Sequence, residues 1–219
     1  MPRALAQPIT YLITGGETSS STTPADAESR RLLALVRSAV EARVTLVQLR
    51  EKDLTGRALY ELARAAADLA RGSATRVLVN DRADVARASG CDGVHLTTRS
   101  LEAGVVRRSC GADFLIGVSA HTFEEARAAY AGGADFAVFG PVFDTPSKRA
   151  YGAPVGLAAL RDAARRLSPF PLVALGGVDE ANAAEAMSAG AAGVAGIRLF
   201  ACGQNLARTV HLIESLHAV

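Results

Sequence analysis

Polar side chains recur where short apolar runs of the sequence end. Gln48, Arg50 and Lys52 close one run, Asn80 and Asp81 a second, Ser119 and His121 a third, and Thr145, Ser147 and Lys148 follow a fourth. Alternate residues of a strand point to the same side, so the first group would bring one amide and two cations together. Such groups donate hydrogen bonds to anions. The pattern predicts a binding site for a polyanionic ligand.

Glycine-bearing segments later in the chain form a second candidate anion site. Gly176 and Gly177 follow one apolar run, and Gly196 and Ile197 end the next. Backbone amides that carry no bulky side chain can approach a phosphate closely, and such loops bind phosphate in many α/β barrels. A Gly-Gly pair is also common in simple tight turns, so the glycines alone leave both interpretations open.

Two histidines lie beside these groups. His95 lies inside an apolar run, which favours a structural histidine without a ligand role. His121 lies just beyond the run that carries Ser119. There it is a candidate acid or base, with a cap or a solvated side chain as the alternative.

A regular alternation of apolar runs and Ala-rich segments must position these residues. Eight runs have the composition of buried parallel strands, at 11–14, 44–49, 77–80, 93–96, 115–118, 136–139, 172–175 and 193–197. Segments of high helix propensity separate them, at 26–42, 56–71, 101–109, 123–131, 157–167, 180–188 and 204–217, with a weak turn or two after Arg82. This order predicts an α/β fold, a single (β/α)8 TIM barrel, whose functional residues lie at the carboxyl ends of the strands.

The sequence leaves an alternative interpretation open for two features of the fold. A doubly wound open sheet is the second candidate, but Gly15-Gly16 is a poor match to the glycine fingerprint of that fold. The Ser/Thr-rich segment 16–24 favours a flexible surface loop, with a loop over the barrel mouth as the alternative.

The composition limits the class of protein. The chain has 219 residues, 49% of them hydrophobic, which supports one folded domain over 1–219. A net charge of +2 without a basic block gives no indication of nucleic acid. No apolar run reaches the roughly 18 to 20 residues of a membrane span. Three separated cysteines without a Cys-x-x-Cys pair favour the cytoplasm, and the sequence leaves a homo-oligomer open.

Seven motifs resemble the thiamine phosphate synthase and TenI superfamily, in that family's order across nearly the whole chain. They are VQLREK at 47–52, VNDRADV at 79–85, GVHL at 93–96, IGVSAHT at 116–122, ADFAVFGP at 134–141, TPSK at 145–148 and ALGGV at 174–178. The resemblance implies a (β/α)8 barrel that handles phosphorylated precursors of thiamine. The synthase branch joins hydroxymethylpyrimidine diphosphate to thiazole phosphate and releases pyrophosphate.

The resemblance also implies roles for the polar residues. It implies pyrimidine-diphosphate contacts for Gln48, Arg50, Lys52, Asn80 and Lys148, a place beside the leaving group for Ser119, and thiazole-phosphate contacts for Thr145, Ser147, Gly177, Gly196 and Ile197. Asp81 would be a ligand of Mg²⁺. Arg50, Ser119, Lys148 and His121 are the candidate catalytic residues. Cations and Mg²⁺ beside a departing pyrophosphate would stabilise the transition state.

The chain departs from the synthase pattern at three places. Thr97-Thr98-Arg99-Ser100 stands where synthases usually have Gly-Gln-Glu-Asp, so the second magnesium carboxylate is replaced by Ser100. The Asp that synthases tend to carry after the first strand is absent, and Arg198 stands where a small residue is common. These departures favour the TenI branch, whose members tautomerise thiazole phosphate without a metal.

Three functions therefore remain from the sequence. The presence of Gln48, Lys52, Asn80 and Asp81 together favours a synthase-type transferase, because a tautomerase has no need of them. The second hypothesis is a TenI-like tautomerase with His121 as its acid or base. The third is a noncatalytic protein that binds thiazole or thiamine phosphate.

Overall fold

The computed structural model describes residues 5–145, 153–201 and 205–216. In this part of the chain, eight parallel strands pair in chain order and close into a barrel, and a helix follows each strand. Pairing of β1 with β8, from Ile9 opposite Gly193 to Leu12 opposite Gly196, completes the closure. The predicted (β/α)8 barrel is confirmed, and the open sheet is excluded.

The elements agree closely with the apolar and Ala-rich segments of the sequence. The strands are β1 (Ile9–Ile13), β2 (Leu46–Leu49), β3 (Arg76–Asn80), β4 (Gly93–Leu96), β5 (Leu115–Ala120), β6 (Phe136–Phe139), β7 (Leu172–Ala174) and β8 (Gly193–Gly196). The helices are α1 (Ala27–Glu41), α2 (Gly56–Ala70), α3 (Ala83–Ser89), α4 (Ala103–Cys110), α5 (Phe123–Ala131), α6 (Gly156–Leu167), α7 (Ala183–Ser188) and α8 (Leu206–Ser215). The weak turn expected after Arg82 is the two-turn helix α3.

The alternation of side chains along the strands divides the core into two clusters. One fills the barrel interior and includes Ile9, Tyr11, Leu46, Leu78 and Phe136. The larger one lies between the strands and the surrounding helices. Because both faces of every strand are covered, the strands are continuous apolar runs. Polar residues on the interior face therefore stand out as candidates for function.

The start of α5 shows how local sequence sets the end of a strand. Thr122 is the N-cap, and its hydroxyl accepts a hydrogen bond from the amide of Glu125. The Glu125 carboxylate in turn accepts from the amide of His121 at 2.6 Å. Together these two bonds fix the backbone just beyond β5, where His121 begins the loop.

No helix in the described ranges has the length and apolar character needed to cross a lipid bilayer.

Candidate active site

A row of four hydrogen-bonded side chains, Gln48, Tyr11, His95 and Ser119, runs from the barrel interior towards its carboxyl-terminal mouth. Gln48 Nε2 donates to Tyr11 Oη at 2.8 Å. Tyr11 Oη lies 3.1 Å from His95 Nδ1, and His95 Nε2 lies 2.9 Å from Ser119 Oγ. The first three side chains are at most 3% exposed, whereas Ser119 is half-buried. The row therefore links the sealed core to a hydroxyl at the mouth.

Four different strands hold this row in place. Its members lie on the inward faces of β1, β2, β4 and β5, at the register where Ile13 pairs with Gln48 and His95 pairs with Gly117. Gly117 leaves room for the imidazole, since a Cβ there would lie 2.9 Å from His95 Nδ1 and 2.4 Å from Phe136 Cζ. A larger residue at position 117 would displace the ring that reaches Ser119.

Burial keeps the middle of the row uncharged. Desolvation lowers the pKa of His95 to about 3, so its ring is neutral near pH 7. Desolvation also raises the pKa of Tyr11 far above the ordinary value for a phenol, against a smaller opposing effect of the Gln48 hydrogen bond. His95 is therefore a structural histidine, as the sequence favoured, but one that also bonds to a candidate site residue.

Arg50 follows β2 at the mouth. Its side chain is half-buried, and a Cβ at Gly16 would lie 3.6 Å from Arg50 Nη1. In the described part of the chain, no carboxylate pairs with this guanidinium. Asn80 lies on the inward face at the end of β3, and exposed Lys52 lies beyond Arg50. The mouth thus carries donor groups suited to an anion.

Glu51 ties the loop after β1 to the end of β2. Its carboxylate is 3% exposed and accepts hydrogen bonds from the hydroxyls of Thr14 and Thr18 and from the amides of Gly16 and Thr18. The Thr14 hydroxyl also accepts from the amide of Arg50 at 2.8 Å. The start of segment 16–24 is therefore anchored beside Arg50, which the interpretation as a flexible surface loop did not anticipate.

Asp81 follows β3 with an exposed carboxyl group and a left-handed backbone, φ 61°. Non-glycine residues adopt this conformation at a cost of about 1–2 kcal/mol, and it recurs at functional sites. The Asp81 amide donates to the His95 carbonyl at 2.8 Å, which holds the strained turn. The bond thereby joins the backbone of Asp81 to β4.

Ser100 lies in the loop after β4, and its hydroxyl forms hydrogen bonds within that loop. Its Oγ accepts from the Thr97 amide at 2.8 Å and lies 3.1 Å from the Thr97 hydroxyl. Among the described residues, no three histidine, cysteine or acidic side chains form a metal-binding group. A single carboxylate, Asp81, fits a Mg²⁺ ion that takes most of its oxygen ligands from a substrate and water.

His121 lies at the mouth on the β6 side of Ser119. Its Nδ1 is hydrogen-bonded to the carbonyl of Gly140, which follows β6. A carbonyl only accepts, so Nδ1 carries a hydrogen and the Nε2 of the neutral ring has a free lone pair. His121 is exposed and can therefore meet a ligand as a base.

The loops after β6, β7 and β8 meet on the opposite side of the mouth. Arg198 Nη2 lies 3.4 Å from the Thr145 hydroxyl. A Cβ at Gly177 would lie 2.6 Å from the carbonyl oxygen of Asp144. Ile197 is 38% exposed, which few large apolar side chains are among the described residues. Of the expected phosphate-side residues, Ser147 lies outside the described residues, as does the candidate catalytic Lys148.

Packing by itself requires a glycine at position 177. Its φ is 67°, and the space beside its Cα is filled by Phe143 and Asp144. Gly177→Val should therefore lower the free energy of unfolding by more than the roughly 1–2 kcal/mol of backbone strain, besides weakening the binding of thiazole phosphate. Urea unfolding and calorimetry measure the two effects.

Gly72→Val provides the matched control for this variant. Gly72 has φ 77° and no atom within 4 Å of the added Cβ, so it would report backbone strain alone. Equal losses of stability in the two variants would contradict the close packing of Gly177. An unchanged affinity for thiazole phosphate in Gly177→Val would place the phosphate elsewhere.

Sequence reasoning missed Tyr11, Thr14 and Glu51. Tyr11 is a polar-tipped residue in the first apolar run, at the same strand parity as Ile9 and Ile13. That parity was a usable signal for an inward-facing phenol. Nothing in the sequence indicated that Glu51, which lies between two cations in the chain, would form hydrogen bonds with the loop after β1.

The chain is similar to proteins of one family over most of its length. The family model for thiamine monophosphate synthase matches residues 11–200. A protein of Geobacter sulfurreducens is 52% identical over 169 residues, which are 77% of this chain and 79% of the relative. Thiamine-phosphate synthase of Moorella thermoacetica is 44% identical over 165 residues, 75% of this chain and 78% of the relative.

A solved structure supports the same relationship. Thiamine phosphate pyrophosphorylase from Pyrococcus furiosus superposes with a TM-score of 0.75 at 29% identity, over 94% of this chain and 96% of its own. The family model, the two relatives and this structure agree with one another. The chain belongs to the thiamine monophosphate synthase family.

Proposed function

We propose that this protein is a thiamine-phosphate synthase-type transferase that joins hydroxymethylpyrimidine diphosphate to thiazole phosphate and releases pyrophosphate. The observation that carries the proposal is Arg50, a half-buried guanidinium at the mouth with no carboxylate partner among the described residues. A cation that no described carboxylate neutralises is suited to a diphosphate. Asn80 and Ser119, on the inward faces of β3 and β5, supply further hydrogen-bond groups at the ends of their strands.

The reaction needs charge stabilisation more than a protein nucleophile. As the bond between the pyrimidine methylene and the diphosphate breaks, negative charge collects on the pyrophosphate and the pyrimidine becomes a cation. The thiazole nitrogen then attacks that cation. Arg50 and the hydroxyl of Ser119 act by stabilising the departing anion. The loops that carry Gly177 and Arg198 hold the thiazole phosphate on the other side of the mouth.

Mg²⁺ is part of the proposal, with Asp81 as its protein ligand. When bound, the ion would neutralise part of the diphosphate charge. With Ser100 in place of a second carboxylate, we expect weak binding of Mg²⁺ to the ligand-free protein. Ser100→Asp should strengthen it about tenfold, because an Asp can still accept from the Thr97 amide while adding a negative charge.

Calorimetry with Mg²⁺ alone measures this effect. Ser100→Asn keeps the shape and the amide contact without the charge, so it should leave the affinity nearly unchanged. Tight binding of Mg²⁺ by the unmodified protein in the absence of diphosphate would contradict the assignment of Asp81 as the only carboxylate ligand.

The transferase proposal is tested by supplying both precursors with Mg²⁺ and measuring pyrophosphate and thiamine phosphate. We expect the two products in equal amounts. If these products are absent and NMR shows aromatisation of the thiazole tautomer, the result would instead support the tautomerase.

The cytoplasmic location and the homo-oligomer remain predictions.

The tautomerase is the second candidate function because of one specific contact. The hydrogen bond of His121 to the Gly140 carbonyl leaves Nε2 as an exposed acceptor at the mouth. A base in that position suits proton transfer on a bound thiazole. A protein that binds either phosphate without turnover is the third hypothesis, and the same assay excludes it if products form.

A further inference from the structure

The hydrogens in the row Gln48–Tyr11–His95–Ser119 can be assigned one after another. Gln48 Nε2 donates to Tyr11 Oη. A phenol has one hydrogen, and the next polar atom in reach is His95 Nδ1 at 3.1 Å, so Tyr11 donates to it. An imidazole nitrogen that accepts carries no hydrogen. The neutral ring of His95 therefore carries its hydrogen on Nε2.

The assignment continues to the mouth. His95 Nε2 lies 2.9 Å from Ser119 Oγ and donates to it. The hydroxyl hydrogen of Ser119 is then not used towards His95, and within the described residues Oγ has no other partner. Ser119 is half-buried, so this hydrogen can point to a ligand in the mouth.

We propose that Tyr11 and His95 are positioning residues that orient the Ser119 hydroxyl as a hydrogen-bond donor to a bound anion. The identity of that anion as the diphosphate leaving group rests on the proposed transferase function. The direction of the row matters because a reversed row would turn the Ser119 hydrogen inward to His95 Nε2. An oxygen lone pair would then face the anion and repel it.

The surroundings of the row support a fixed direction. Tyr11 and His95 lie among apolar side chains, with Phe136 in edge contact with Tyr11 at 5.6 Å between ring centroids. No water-exposed group competes for Tyr11 Oη, which is fully buried. Hydrogen bonds in such an environment are strong and costly to leave unmade. Reversal would require Gln48, Tyr11 and His95 to change together.

The tautomer of His95 gives a direct test that does not depend on activity. Protein labelled with ¹⁵N in its histidines should show a hydrogen attached to Nε2 of His95 and none on Nδ1. The His95→Gln variant assigns the signal. A hydrogen on Nδ1 in the wild type would overturn the proposal.

Anion binding tests the consequence for Ser119, with pyrophosphate as the probe. Ser119→Ala and Tyr11→Phe should each weaken its affinity about tenfold or more, the loss of one hydrogen bond to a charged group. The double variant should be no weaker than Ser119→Ala alone, because Tyr11 acts through that hydroxyl. Additive losses in the double variant would overturn the proposal. Tyr130→Phe, near the end of α5, is the control for removing a phenol hydroxyl.

Kinetics separates the positioning role from a purely structural one. With both precursors, Tyr11→Phe should lower kcat about tenfold and change KM less, since the Ser119 contact strengthens as pyrophosphate departs. His95→Gln keeps an amide donor near the Nε2 position and should be faster than His95→Leu. Equal rates for these two variants would count against the proposal. If the wild type releases no pyrophosphate, the transferase function fails, while the tautomer and pyrophosphate affinities still test the row.

Discussion

Arg50→Ala should lower the rate of pyrophosphate release by roughly 10² or more. The guanidinium faces negative charge that grows as the diphosphate departs, so its loss raises the transition state more than the bound substrate. Because Arg50 is half-buried, part of the surrounding water is excluded from its guanidinium. In the described part of the chain, no carboxylate pairs with the guanidinium in competition with the diphosphate. Steady-state kinetics with both precursors should show the loss mainly in kcat.

Two further variants make the Arg50 result specific. Arg71 lies just beyond α2, is exposed and pairs with Asp68. Arg71→Ala should therefore leave the rate unchanged. His121→Ala should cost much less than Arg50→Ala, because pyrimidine-cation formation needs no protein base. The opposite order, with a loss of about 10² to 10⁴ for His121→Ala in thiazole aromatisation and none for Arg50→Ala, would identify the tautomerase.

Lowering the pH should unfold the protein partly through His95. Its pKa is about 3 in the folded protein against an ordinary value of 6.5, because burial disfavours the charged ring. Between these values the unfolded chain binds a proton that the folded protein does not, so stability falls as pH falls. The expected slope is about 1.4 kcal/mol per pH unit, or about 3 kcal/mol between pH 6.5 and pH 4.

The His95→Gln variant isolates this contribution from that of the acidic residues. Between pH 4 and pH 6.5, its free energy of unfolding in urea should fall less steeply than that of the wild type, by about 1.4 kcal/mol per pH unit. Above pH 6.5 the two curves should run parallel, since neither residue then takes up a proton. Curves that stay parallel down to pH 4 would show that the ring is protonated in the folded protein.

The sequence by itself determined the barrel and its eight strands. Continuous apolar runs separated by Ala-rich segments are compatible with few arrangements other than parallel strands covered by helices. Strand parity also predicted that Gln48 and Arg50 point to one side, and positions at strand ends predicted that Arg50, Asn80 and Ser119 lie at the mouth. These are local properties of the chain, which is why they could be predicted without coordinates.

The partners of the polar residues were decided by the tertiary structure. Tyr11 and His95 are 84 residues apart, and Thr14 and Glu51 are 37 residues apart, so no local pattern indicates that they touch. Strand pairing brings β1 beside β2, and closure of the barrel aims alternate side chains of distant strands at one axis. Burial there makes each hydrogen bond costly to leave unmade, so long-range packing determines which way the donors point.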